Sequence, residues 1–269
     1  MGQHTKEYFS QFSNDMSKGH FHKVIALHEK PELSWESISK IAPELCKGWF
    51  ELSCLSSQDR IEFTQDFWLA KEPYHPKLDE FLTKFFGSLE DIAVYITQKK
   101  YDDPYEAHLV YCLKDDAGFF RGGPPATEKE LANLQKAFSN FILPADYLAF
   151  LQIHNGFHKT TDCTGLICSS YMESAYKAFQ KLMDEQGILT TYKGTIVDPS
   201  KLIPFYESFG MPFFQCFWAE WYPENEMGNV YYSGMTKTIS DVESNDPSSE
   251  NMVFPTFTDW LMFYMEKVT

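Results

Sequence analysis

The chain is short of positive charge: 23 Lys and Arg stand against 38 Asp and Glu, a formal net charge of −15. Such a field repels a phosphate backbone, so nucleic acid is disfavoured as a partner. Acidic surfaces commonly serve solubility alone, but this one also favours basic partners. No apolar run approaches the ~20 residues of a membrane-spanning helix, and no membrane association is predicted. The N-terminal MGQHTKEYFSQF lacks a basic region followed by an apolar core. No signal peptide is therefore expected, and a cytoplasmic location is. The six cysteines, at 46, 54, 112, 163, 168 and 216, include no CxxC pair. Free thiols, mostly buried, are the expectation. A P-loop, a G-x-S-x-G elbow, H-E-x-x-H and G-x-G-x-x-G are all missing, so the chain reads as non-enzymatic and without a cofactor.

Large apolar side chains are plentiful. With 24 Phe and 15 Tyr in 269 residues, the composition is that of one or two globular domains. Trp35, Ile38, Ile41, Leu45, Trp49 and Leu52 share a helical face, and Pro43 within that run predicts a kink or two shorter helices. Ser57 is expected to cap a helix through Ala70 that turns Ile61, Phe63, Phe67 and Trp68 inward. Leu78, Phe81, Leu82 and Phe85 make another, stopped by Gly87. The period then changes. Alternation over 92–97 and 109–113 predicts an antiparallel hairpin, and Gly122-Gly123-Pro124-Pro125 reads as a linker. The expected organisation is α+β: a helical region over 1–88, then the hairpin and a further domain over 89–269 with its core at 127–269.

The segment TEKELANLQKAFSNFILPADYLAFLQIHNG, Thr127 to Gly156, is the most clearly punctuated. Thr127 with Glu130 is a capping box. Leu131, Leu134, Phe138 and Phe141 follow at helical spacing. Pro144 suits a first helical position. Tyr147, Leu148 and Leu151 form a second stripe, and Asn155-Gly156 is expected to end it with a left-handed cap. Ser170 with Glu173 suggests another capping box, opening a helix that Gly187 stops. Strands are expected at 201–206, 213–222 and 229–233. Thr256 is expected to cap the last helix, with Asp259 in its first turn.

The E-x-x-L helix followed by LPxDYxxFLxxHNG resembles the N-terminal signature of the SUKH superfamily. Leu202-Ile203-Pro204-Phe205, the aromatic strands up to Tyr232 and the terminal Phe257-Thr-Asp-Trp260-Leu261 helix follow in the same order. That superfamily includes bacterial immunity proteins against secreted toxins and the fungal cell-wall-assembly regulator. The resemblance covers Thr127 to the end. It implies a mixed or antiparallel sheet packed with helices, and a role in neutralising a toxin domain or scaffolding regulators by binding.

Few constellations suggest chemistry. His154, His158, Cys163 and Cys168 are zinc-ligand types, but their spacing matches no ligand rhythm and core or loop roles are favoured; no metal site is assigned. A cryptic hydrolase using Glu220 and Glu226 is one alternative function. Another gives activity to the N-terminal helices, with the second half as a docking base. The segment Trp218, Glu220, Trp221, Tyr222, Glu224 and Glu226 places large rings among acids, as an interface anchor for a basic protein would. The competing reading makes its aromatics strand core and its acids merely solvated.

Overall fold

The computed structural model describes residues 2–12, 19–208, 212–223, 226–242 and 251–266. By contact density the chain forms two compact units. The first comprises Met1–Pro125, Ile153–Thr160 and Glu266–Thr269. The second comprises Ala126–Gln152 and Thr161–Met265.

In the first unit, α1 (Gln3–Tyr8) and β1 (Lys23–Ala26) precede α2 (Trp35–Ile41) and α3 (Lys47–Ser53). The proline at 43 does split the predicted run in two. Next come α4 (Ser57–Lys71), α5 (Leu78–Gly87), the hairpin strands β2 (Leu89–Gln98) and β3 (Glu106–Leu113), β4 (Phe119–Gly122) and, after an interruption, β5 (Phe157–Lys159). Within this unit β1, β2, β3, β4 and β5 lie in that order, each antiparallel to the next. The hairpin thus clusters with the helices before it.

Alternation in β2 and β3 suggests one wet face, yet nearly every residue of both strands is buried. Cross-strand partners share a face. Ile92 pairs with Tyr111 and Val94 with Leu109. Tyr111 on that face meets Trp68, Phe85 and Phe86 of the helices. The opposite face, carrying Ala93, Tyr95, Val110, Cys112 and Phe119, is closed by Phe9 and Phe21. Both sides are covered, so the polar–apolar alternation of a half-exposed sheet is not needed.

Two details of α4 differ from expectation. Ser56, not Ser57, is the cap, its hydroxyl accepting from Asp59 N. The Ser57 hydroxyl instead donates to the Asp91 carboxylate at 2.9 Å. Phe63 does not turn inward but is 58% exposed. Arg60 does turn inward. Its guanidinium donates to both Asp91 oxygens, at 2.7 and 2.9 Å, and to the Leu55 and Ile92 carbonyls. These bonds leave neither buried charge without a partner.

In the second unit, α6 (Glu128–Ala137) and α7 (Ala145–Leu151) precede β6 (Gly165–Leu166), α8 (Ser169–Gln186) and β7 (Thr190–Thr191). Then come β8 (Leu202–Glu207), β9 (Phe213–Trp218), β10 (Asn229–Ser233), β11 (Thr238–Ile239), β12 (Val253–Phe254) and α9 (Phe257–Glu266). The sheet order is β6-β8-β9-β10-β11-β7, β12 also pairing with β10; β11–β7 is parallel and the other pairs given are antiparallel. Phe214, Cys216 and Trp218 of β9 face a core with Phe179 and Met183 of α8. Phe217 points the other way, to Tyr147 of α7 and Phe257 of α9. Helices therefore cover both faces, and the whole is α+β. Cys168 precedes α8 with no side-chain cap, so the Ser170–Glu173 box does not form. The Thr256 cap on α9 does.

Candidate functional site: an acidic turn and a buried histidine

β9 ends at Trp218, short of the predicted Tyr222, and a compact turn leads to β10. Trp221 N donates to the Trp218 carbonyl at 3.0 Å and Gly228 N to the Trp221 carbonyl at 3.1 Å. Glu226 N donates to the Pro223 carbonyl, also at 3.1 Å. The turn sorts its rings from its acids. Trp218 is buried in the core with α8, and Trp221 is half-buried against the same cluster. The Trp221 ring lies over Gly228, where a Cβ would stand 2.2 Å from it. Tyr222 is 50% exposed. Glu220 and Glu226 are exposed. Glu224 falls outside the described residues. The turn thus presents one phenol and two carboxylates to solvent, on a base fixed by two indoles.

The motif residues of the second unit hold structure. The capping box forms as predicted, with Thr127 N donating to Glu130 Oε2 at 2.7 Å and Glu130 N to Thr127 Oγ1 at 3.2 Å. Pro144 sits at the N-cap of α7, one residue before the predicted position. Tyr147 is fully buried, its hydroxyl on Met172 Sδ. Periodicity gave no reason to single out Asp146. Its carboxylate accepts from Thr258 N at 2.8 Å and from the Thr258 hydroxyl at 3.0 Å, capping α9 from 112 residues away. Burial raises its pKa, against the opposing pull of these hydrogen bonds. No local pattern in the sequence connects Asp146 with Thr258.

Asn155-Gly156 does not end α7, which stops at Leu151 with Gln152 as cap. The residues between belong to the first unit, where His154 is wholly buried. Its Nδ1 lies 3.0 Å from the Gly123 carbonyl and so carries the proton. Its Nε2 accepts from the Tyr111 hydroxyl at 2.5 Å, and Tyr111 in turn accepts from Trp68 Nε1 at 2.9 Å. Burial drives the His154 pKa down to about 4, only partly opposed by the Gly123 carbonyl. A neutral imidazole tied on both nitrogens is a poor metal ligand. Cys163 is exposed, and among the described residues no group of three or more His, Cys, Asp or Glu is placed to hold an ion.

The predicted linker ends where the first unit's opening stretch ends, at Pro125, and its residues also belong to this knot. Gly122 closes β4, Gly123 N donates to the Gly156 carbonyl at 3.0 Å, and Asn155 N donates to the Pro124 carbonyl at 3.1 Å. Gly156 takes φ +97°, a conformation side chains resist. Among the described residues no helix is long and apolar enough to cross a membrane.

Residues 125–262 match the family model described as SMI1 / KNR4 family (SUKH-1). No curated protein matches the chain.

Proposed function

Because the chain belongs to the SMI1 / KNR4 family (SUKH-1), by a match over just over half its length, we propose that it is a non-enzymatic protein-binding module. It acts in the cytoplasm on a basic protein, as an immunity protein masking a toxin domain or as a regulatory scaffold. The observation that carries this reading is the β9–β10 turn. Tyr222 stands exposed in the same turn as the exposed carboxylates of Glu220 and Glu226, on a base held by Trp218 and Trp221. An amphipathic ring on a rigid base loses little entropy on binding. The acids beside it, within a chain of net charge −15, would steer a basic partner into contact. Binding by occlusion needs no cofactor.

The hydrolase reading gains nothing from Glu220 and Glu226. Both are exposed, and a carboxylate tuned for proton transfer needs a more enclosed setting. The reading that gives activity to the N-terminal helices meets a buried Trp49 and a half-buried Trp35, which are core side chains rather than free anchors.

The test is affinity recovery from native lysate at low and moderate salt, with bound proteins identified by mass. The expected result is a basic protein whose recovery falls as salt rises and falls again with Glu220→Lys/Glu226→Lys at either salt. Recovery indifferent to both salt and charge reversal would overturn it.

A further inference from the structure

The first unit holds a cavity of about 240 Å³ between α3, α4 and β3. Trp49, Leu52, Phe63, Phe67, Trp68 and Leu109 are among the apolar side chains of its wall. Its hydroxyl, imidazole and indole groups are already committed. Tyr111 and His154, on the same wall, bond to each other, Trp68 Nε1 bonds to Tyr111, and the Thr64 hydroxyl donates to the Arg60 carbonyl at 2.7 Å. His154 is neutral, and among the described residues no Lys, Arg, Asp or Glu lines the space. An ionised ligand would lose its hydration there and find no counter-charge.

Gly48 also lines this cavity, inside α3. Neither common structural reason for a helical glycine applies. Its φ is not in the left-handed region, and a Cβ built on it would meet nothing within 4 Å. A glycine within a helix costs up to about 1 kcal/mol relative to alanine. Gly48 is exposed and stands at the rim of the cavity. An apolar void of ~150 Å³ accepts benzene, so 240 Å³ holds more than one ring and more than one protein side chain requires.

We propose that this cavity is a binding site for a small, uncharged, predominantly apolar molecule of about two fused or linked rings. The site lies in the first unit and shares no residue with the acidic turn, so either assignment can fail without the other.

The test uses the full chain and N-phenyl-1-naphthylamine, a neutral probe whose emission rises and shifts to the blue in a dry site. Saturable enhancement at one equivalent per chain is expected. Gly48→Phe, which adds a ring at the rim without a clash at Cβ, should weaken it at least tenfold while keeping the wild-type circular dichroism. Gly48→Ala should change it less than twofold. A naphthalene sulfonate of the same size should bind at least tenfold more weakly. Should Gly48→Phe not fold, Phe63→Ser at the exposed rim makes the same comparison, again with a tenfold loss expected. No enhancement, enhancement that survives Gly48→Phe or Phe63→Ser, or equal binding of the anionic probe would each overturn the proposal.

Discussion

The imidazole of His154 occupies the space that a side chain on Gly122 would fill: a Cβ there would stand 2.1 Å from His154 Nδ1. The ring cannot retreat easily, since both its nitrogens are hydrogen-bonded and it stacks on Phe157 with ring centroids 5.3 Å apart. Gly122→Ala is therefore expected to destabilise the protein by about 1–3 kcal/mol, the usual cost of overpacking. Gly48→Ala, where a Cβ meets nothing, should be neutral or stabilising by up to ~1 kcal/mol. Urea unfolding of the two variants checks both, and the opposite signs distinguish a packing glycine from a cavity glycine.

Stability should also fall on mild acidification. The His154 pKa is lowered from 6.5 to about 4, and that of His108 to about 3, in both cases chiefly by burial. Below pH 6.5 the unfolded chain takes up protons that the folded chain refuses, so acid favours unfolding. The effect is absent above pH 7 and accumulates from pH 6.5 down to each folded value. For His154 alone it is worth on the order of 3 kcal/mol. Asp146 acts in the opposite sense, since its raised pKa favours the protonated folded form as the pH falls. Urea midpoints at pH 7, 5.5 and 4.5 should drop less steeply for His154→Gln than for the wild type. Equal slopes would show that the imidazole is not buried neutral.

The Arg60–Asp91 pair ties α4 to β2, with the arginine 6% and the aspartate 8% exposed. Arg60→Met should cost about 3–5 kcal/mol, because it strands a buried carboxylate. Adding Asp91→Leu should recover much of that loss, and a double-mutant cycle measures the coupling. A truncation beginning near Glu90 removes Arg60 together with the helices that cover Tyr111. It should yield an insoluble or molten product, visible as lost near-ultraviolet circular dichroism.

The five aromatic and acidic residues described in the β9–β10 turn call for different variants. Trp218→Ala removes a core indole and should cost about 3–5 kcal/mol, so a binding defect in it would be uninformative. Tyr222→Ala, at a half-exposed position, should stay near wild-type stability. Partner affinity should nevertheless fall about tenfold or more if the phenol is an anchor. Isothermal titration beside a thermal melt separates the two.

Much of the architecture was legible because it is written in local patterns. The split at Pro43, the β2–β3 hairpin, the Thr127–Glu130 box and the β9–β10 pair each depend on residues a few positions apart, through backbone sterics and helical or strand periodicity. Long-range relationships were not legible in that way. Asp146 capping α9, Arg60 reaching Asp91 and His154 seated on Gly122 join residues 31 to 112 positions apart. No local rule connects such residues. The same limit hid the second role of Gly122-Gly123-Pro124-Pro125: the first unit's opening stretch does end at Pro125, but a glycine pair that breaks a pattern reads alike whether it frees a chain or admits a ring. Sequence alone determined the α+β class, the family and the acidity. Which charges are buried, which glycines leave space and which aromatics face water was decided by packing, because burial belongs to neighbours that only the folded chain brings together.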